Sequence, residues 1–117
     1  MHGLPKDIDV SFFIGQALTQ LCFGGNDLLL NFDDNLSVSV TSRVELEALG
    51  TQSEIEDFKA EGAPLLVLIE RTIEAATPHE DGTLELRFDG DMVLRLIDDS
   101  PHYESYVIWH GKETIAV

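Results

Sequence analysis

The sequence holds little that would place the chain in an oxidising compartment or in a membrane. Its only cysteine is Cys22, so no disulfide can form within the chain. The longest strongly apolar run, Leu65 to Ile69, is far shorter than the ~20 residues of a membrane-spanning helix. The first nine residues carry one lysine and two aspartates, and no long apolar stretch follows, unlike a signal peptide. We therefore expect a soluble cytoplasmic protein.

Basic residues are also scarce. Seven lysines and arginines stand against 22 aspartates and glutamates, which gives a net charge of −15. A chain this acidic repels phosphate, which argues against direct binding of nucleic acid or of an anionic membrane surface. The same charge would attract a partner protein with a basic surface.

Motifs for hydrolysis and for metal or phosphate binding are missing. There is no Gly-x-Ser-x-Gly, and Gly24-Gly25 lacks the Lys-Ser/Thr of a phosphate-binding loop. The histidines show no metal-binding spacing; they are His2, His79, His102 and His110. We expect no catalytic residue, no metal and no cofactor.

Two further chemical roles can be considered, one for the cysteine and one for an acidic cluster. Cys22 lies between Leu21 and Phe23, an apolar setting that favours a buried, inert thiol. An acid–base pair could be drawn from Asp98, Asp99 and Glu104. With 22 acidic residues in 117, however, such clusters arise by chance.

The composition is that of one folded domain. Hydrophobic residues make up 44% of the 117 residues, close to the globular average, and this length supports one core. We predict a single domain over residues 1–117.

Alternating apolar and polar residues predict mainly β-structure. Leu28 to Phe32 and Leu36 to Val40 alternate on either side of a turn at Asp33-Asp34-Asn35, and the alternation continues to Ala48. The pattern recurs at Leu84 to Phe88 and Val93 to Ile97. We predict an α+β fold, mainly β, with seven or eight short strands in an antiparallel meander or half-open barrel and one or two short helices.

The two hairpins are spaced by 56 residues, which suggests an internal repeat. Leu28 matches Leu84, and Phe32 matches Phe88; with a one-residue gap, Leu18 matches Ile73. The predicted pseudo-repeat covers residues 14–40 and 69–96. The alternative is that two unrelated hairpins share the same period of two.

The middle of the chain holds the best helix candidate. Ser53 and Glu56 have the spacing of a capping box, and Ile55 and Phe58 would line one side of the helix. Leu65 to Ile69 fits either a short buried helix or a core strand.

A segment rich in acids and aromatics, residues 98–106, combines side chains that suit an interface. Tyr and Trp present apolar area with a hydrogen-bonding tip. The structural alternative is a strand with Tyr103 and Trp109 in the core, which places Tyr106 on the opposite face. The residues predicted to contact a partner are Asp33, Asp34, Asp98, Asp99, Tyr103, Glu104 and Tyr106.

Three stretches resemble a family of small uncharacterised bacterial domains. They are Leu21 to Asp34, Asp81 to Phe88 and Asp98 to Tyr106, and the likeness runs from about Phe13 to the C-terminus. Members of such families occur near polymorphic toxin genes, including contact-dependent growth inhibition systems. The resemblance therefore implies an immunity role for some of them, and it brings no catalytic residues.

Three functions are compatible with these observations. The first is an immunity protein that neutralises a cognate basic toxin, such as a nuclease, by acidic surface complementarity. The second is a non-enzymatic cytoplasmic interaction domain, including a homodimer, whose acidity keeps it soluble. The third is a small ligand-binding domain or enzyme. The acids are spread evenly along the chain, so the sequence does not single out one acidic patch.

Overall fold

A computed structural model describes residues 8–99 and 104–117 of the chain. These residues form ten β-strands, one short α-helix and two 3-10 helices. The strands are β1 (Leu18–Phe23), β2 (Leu28–Phe32), β3 (Leu36–Val40), β4 (Arg43–Ala48), β5 (Thr51–Ile55), β6 (Ile73–Pro78), β7 (Leu84–Phe88), β8 (Met92–Ile97), β9 (Tyr106–His110) and β10 (Glu113–Ala116). The helix α1 spans Phe58–Glu61, and the 3-10 helices span Ser11–Phe13 and Ala63–Leu68.

The strands form two five-stranded antiparallel sheets. Sheet 1 has the order β1-β2-β3-β9-β10, and sheet 2 has the order β5-β4-β8-β7-β6. The inward side chains of both sheets belong to one buried apolar cluster. The prediction of a mainly β, antiparallel α+β fold is confirmed, in the form of a two-sheet sandwich rather than a closed barrel.

The predicted hairpins are present, with the predicted faces inward. In β2–β3, Leu28, Leu30 and Val38 are buried, and in β7–β8, Leu86 and Leu94 are buried. The alternation fixes this register, because a one-residue slip would move every apolar side chain of the strand to the outer face.

Both sheets are assembled in the same way from the two halves of the chain. Each is a three-strand meander, β1-β2-β3 or β6-β7-β8, extended by a hairpin from the other half. Hairpin β9–β10 pairs with β3, and hairpin β4–β5 pairs with β8. Both meanders have a register irregularity at equivalent places, between Leu18 and Gln20 and between Ile73 and Ala75. An isolated antiparallel bridge joins Ala17 to its counterpart Thr72. A common origin of the two halves stays a prediction. The correspondence between the two sheets extends beyond residues 14–40 and 69–96, because it includes the hairpins β4–β5 and β9–β10.

The middle of the chain differs from its prediction and raises the strand number to ten. Ser53 does not cap a helix; it lies in β5, where it pairs with Leu46 of β4. The helix begins after Asp57, whose side chain accepts from the Ala60 amide at 3.3 Å, while Glu61 accepts from the Asp57 amide at 3.0 Å. The capping motif was therefore assigned four residues too early, because tertiary pairing with β4 outweighs the local signal.

The two aromatic residues of β9 face the opposite way to the prediction, which placed Trp109 in the core and Tyr106 on the outer face. Tyr106 is fully buried, whereas Trp109 is 40% exposed and points away from the core. Both faces of this strand carry apolar side chains, since Val107 and Trp109 alternate with Tyr106 and Ile108, so periodicity could not choose between them.

Cys22 also departs from its prediction. It is half-buried rather than buried, and it lies on the outer side of β1, outside the core cluster. No helix among the described residues is long and apolar enough to cross a membrane.

Candidate functional site

Loops from both sheets meet at one end of the sandwich, which we call the loop end. It comprises residues 24–27, 41–42, 56–57, 79–83, 98–99 and 104–105. Hydrogen bonds join several of these loops. Thr41 Oγ1 donates to the carbonyl of Glu104 (2.6 Å), and Ser105 Oγ donates to Asp98 Oδ1 (2.8 Å). The opposite end, the turn end, comprises residues 33–35, 49–50, 89–91 and 111–112.

Tyr106 anchors the loop end to the core. Its hydroxyl donates to the carbonyl of Gly82 (2.6 Å), although its ring is fully buried at the start of β9. Burial raises the pKa of Tyr106 well above its usual value, and the negative charges of Asp98 and Asp81 add to that effect. The phenol is therefore kept neutral and acts as a structural donor.

The two aspartates that follow β8 have different environments. Asp99 is exposed and accepts from Arg43 Nε at 2.7 Å, a bond that raises the pKa of the Arg43 guanidinium. Asp98 is half-buried and accepts the Ser105 bond, and its side chain packs against Gly82 so closely that a Cβ there would lie 2.3 Å from Asp98 Oδ2. Of the two side chains, Asp99 is the more exposed.

An open cleft lies beside these loops. It has a volume of about 830 Å³ and contains three carboxylate residues and one lysine in its wall. The carboxylate residues are Asp27, Glu56 and Asp57, and the lysine is Lys59. The β1–β2 loop, Thr41 and the start of α1 contribute its lining residues.

The carboxylates of the loop end thus extend beyond the cleft. Glu104 adjoins the cleft through its bond to Thr41, and Asp81 lies in the β6–β7 loop near Tyr106. A hydrogen bond from Thr83 lowers the pKa of Asp81, so this group stays ionised. The loop end can therefore present a broad negative surface to a cationic partner.

The predicted contact residues are not brought together as a single surface. Asp98, Asp99 and Glu104 share the loop end, whereas Asp33 and Asp34 lie at the turn end. The length of β3 separates the two groups, about 16 Å for five residues. Tyr106 cannot touch a partner from inside the core, which corrects its assignment to an interface. Tyr103 lies outside the described residues.

Asp33 and Asp34 have local partners. The Ala17 amide donates to Asp33 Oδ2 (3.2 Å), and the equivalent Thr72 amide donates to Asp89 Oδ1 (3.0 Å). Gln16 Nε2 donates to Asp34 Oδ2 (3.3 Å). The repetition of the first contact in both halves shows that Asp33 helps to hold the start of β1 against the turn.

The outer face of sheet 2 carries a network of ion pairs. Arg43 bridges Glu45, Glu54 and Asp99, and Arg95 contacts Glu47 and Glu85. These acids are already compensated by arginine. Asp27, Glu56, Asp57 and Glu104 have no arginine partner among the described ion pairs.

Sequence reasoning missed Asp27, Glu56, Asp57 and Asp81. Asp27 is far in sequence from Glu56 and Asp57, although all three line the same cleft. One signal was present for three of them, since Asp27, Glu56 and Asp57 lie within two residues of a strand end. Among residues 8–99 and 104–117, no three His, Cys, Asp or Glu side chains are grouped so that they could hold a metal ion.

Comparisons with known proteins identify a family but no activity. Searches of curated proteins and of solved structures found no match to the chain. A family model described as a family of unknown function, DUF6188, matches residues 11–117. The chain therefore belongs to the DUF6188 family, whose description assigns it no function.

Proposed function

We propose that this chain is an immunity protein that binds a basic toxin domain, such as a nuclease, through the carboxylates of its loop end. The observation that carries the proposal is the open cleft whose wall holds Asp27, Glu56 and Asp57 against a single Lys59. A catalytic cleft that acts on nucleic acid must be cationic, and an acidic surface can cover it.

The physical case has a long-range part and a short-range part. The net charge of −15 speeds diffusional encounter with a cationic surface whatever the orientation. Docking then requires carboxylates that are free to form new pairs. Asp27, Glu56 and Glu104 meet this requirement better than the acids on sheet 2, which arginines already neutralise.

Charge reversal at the two ends of the sandwich tests the location of the contact. The test variant is Glu56→Lys with Glu104→Lys, both exposed at the loop end. The matched control is Glu74→Lys with Glu113→Lys, both exposed near the turn end. Each reversal adds two units of charge, so both double variants move from −15 to −11.

Binding rates should separate the two variants. We expect both to slow association with the cognate basic toxin domain, because both lose the same long-range attraction. The loop-end variant alone should also dissociate faster, since only it loses direct contacts. In a growth assay, the wild type and the control should protect cells that express the toxin, and the loop-end variant should protect them less.

Two outcomes would contradict the proposal. Equal dissociation rates for the two folded variants would show that the contact does not lie at the loop end. A neighbouring basic toxin domain that neither binds the wild-type chain nor is neutralised by it would refute the immunity function.

A further inference from the structure

The outer face of sheet 1 carries no charge, in contrast to the rest of this acidic molecule. Ten described positions, in two rows across the five strands, point outward from its centre. The first row is Gln20, Asn31, Ser37, Trp109 and Thr114, and the second row is Cys22, Leu29, Ser39, Val107 and Ala116. None of these ten residues is an Asp, Glu, Lys, Arg or His. The apolar residues among the ten, Leu29, Val107, Trp109 and Ala116, lie outside the core cluster, whereas their strand neighbours Leu30 and Ile108 belong to it.

The pseudo-symmetry supplies an internal comparison for this face. The equivalent positions of sheet 2 are Ala75, Arg87, Val93, Glu47 and Gln52 in one row and Thr77, Glu85, Arg95, Glu45 and Glu54 in the other. Six of those ten side chains are charged, and most of them form ion pairs. The fold therefore tolerates charge at these positions, so the neutrality of sheet 1 is not a requirement of the architecture.

We propose that the outer face of sheet 1 is a self-association surface, on which a second copy of this chain docks face to face. In a two-fold contact a surface meets itself, so any net charge on it repels its own copy. A molecule of charge −15 can approach its copy with least repulsion through a face that has no carboxylate.

The polar side chains of the face are suited to pairing with themselves. Hydroxyl and amide groups both donate and accept hydrogen bonds, whereas carboxylates only accept and guanidinium groups only donate. Asn31 Nδ2 donates to Gln20 Oε1 (2.9 Å), and Ser37 Oγ donates to Asn31 Oδ1 (2.8 Å), so these groups are already ordered across three strands. Ser39 and Thr114 add two further hydroxyl groups.

Apolar area lies beside these groups. Trp109 is 40% exposed, and Leu29 and Val107 are half-buried, although none of them packs into the core. A partly exposed tryptophan with apolar and neutral polar neighbours is typical of the centre of a protein interface. A basic partner would gain no charge complementarity here, which favours a copy of the chain as the occupant.

The size of the face sets the strength of the contact. Five strands spaced by about 4.8 Å and about five residues long cover roughly 400 Å². A stable interface buries about 800 Å² on each partner. The dimer is therefore weak and depends on concentration. Both ends of the face are acidic, so salt strengthens the dimer by screening the repulsion between copies.

Sedimentation velocity over the micromolar to millimolar range tests the proposal, at low and at high salt. The variant Thr114→Lys places a charge beside Trp109, its cross-strand partner. The matched control Gln52→Lys makes the same change at the equivalent exposed position of sheet 2, beside Glu47. Both variants have a net charge of −14, one unit less negative than −15, so general repulsion falls equally in both.

We expect the wild type and Gln52→Lys to dimerise more as concentration and salt rise. Thr114→Lys should weaken the dimer at least about tenfold in spite of its lower net charge. Trp109 is the only tryptophan, so its emission should shift to shorter wavelength in step with dimer formation in the wild type.

Several results would overturn this proposal. They are a monomer at every concentration, an equal loss of dimer in both variants, or a dimer that dissociates as salt rises. A blue shift that appears only when a basic toxin domain is added would assign the face to that partner and refute self-association. This surface is separate from the loop end, and failure of either proposal leaves the other unaffected.

Discussion

Tyr106 shows how a single residue couples the core to the loop end. Its ring is one of the largest fully buried side chains, while its hydroxyl reaches the Gly82 carbonyl in the β6–β7 loop. The phenol lies near Asp98 and Asp81, whose charges would oppose a second negative charge. The residue therefore contributes both packing and a hydrogen bond, and it contributes the bond only while it is protonated.

Tyr106→Phe should lower the stability of the chain and change its response to alkali. At neutral pH we expect a loss of about 1–3 kcal/mol, because the Gly82 carbonyl is left without its buried donor. In the wild type the folded-state pKa of Tyr106 is raised above its unfolded value near 10.0. The stability that protonated Tyr106 contributes is fully present below the unfolded pKa near 10.0, and it is lost as the pH rises through the folded pKa.

The raised pKa of Tyr106 predicts that the wild type loses stability at alkaline pH. Above pH ~10 the unfolded chain has released the tyrosine proton and the folded chain has kept it, so stability falls by about 1.4 kcal/mol for each pH unit. Urea unfolding at neutral pH and at alkaline pH, for wild type and Tyr106→Phe, measures this term. Equal slopes against pH in the two proteins would show that Tyr106 ionises freely in the folded state.

The hairpins show which elements were predictable from the sequence. Hairpins β2–β3 and β7–β8 follow from alternation around short turns, because a period of two leaves only one apolar face to bury. The β4–β5 hairpin was missed. Ser53 and Glu56 match a helix cap, and nothing local reports that β4 offers Ser53 a strand partner instead.

The same limit applies to the candidate site. Asp98, Asp99 and Glu104 were found together because they are close in sequence. Asp27 and Glu56 were missed because the exchanged hairpins, which bring distant loops to one end, are long-range features. The neutral face of sheet 1 had a sequence signal, the absence of charge at alternate positions, but reading it required the correct faces of β9.

The turn between β4 and β5 is locally unfavourable and can be improved. Its two central residues, Leu49 and Gly50, both have positive φ, of 54° and 78°. Such a turn favours Asn-Gly, and leucine is disfavoured in a left-handed conformation. Leu49 is 83% exposed, so it gains little from packing.

Leu49→Asn should stabilise the chain by about 1 kcal/mol, because asparagine adopts the left-handed conformation at lower cost. Thermal or urea unfolding measures the gain. Leu49→Ala is the control, since it removes the same exposed apolar side chain without relieving the backbone. A gain of equal size in both variants would attribute the effect to the lost leucine side chain rather than to the turn.

At the scale of the whole molecule, charge acts in opposite directions on the two proposed contacts. Salt screens the attraction between the loop end and a basic partner, so it weakens that complex. It also screens the repulsion between two copies of a −15 chain, so it strengthens the contact between sheet 1 faces. The two associations can therefore be told apart by the sign of their salt dependence.

The stability of the monomer also depends on salt in two opposite ways. Salt weakens the ion pairs within the chain, and it reduces the general repulsion between its negative charges. The pairs of Arg43 and Arg95 are partly exposed and short-ranged, and each such pair is worth at most about 1 kcal/mol. Repulsion acts across a molecule of 32 × 29 × 23 Å, which is comparable with the Debye length of about 30 Å at 0.01 M salt. At 0.15 M that length falls to about 8 Å, so most of the repulsion is screened.

We therefore expect the melting temperature to rise by a few degrees between these two salt concentrations. Calorimetry on dilute Thr114→Lys measures the effect without a contribution from self-association. Adding Glu74→Lys and Glu113→Lys to this variant lowers the net negative charge by four further units and should reduce the salt response. A melting temperature that falls with added salt would show that the arginine ion pairs on sheet 2, rather than general repulsion, dominate the electrostatics of the folded chain.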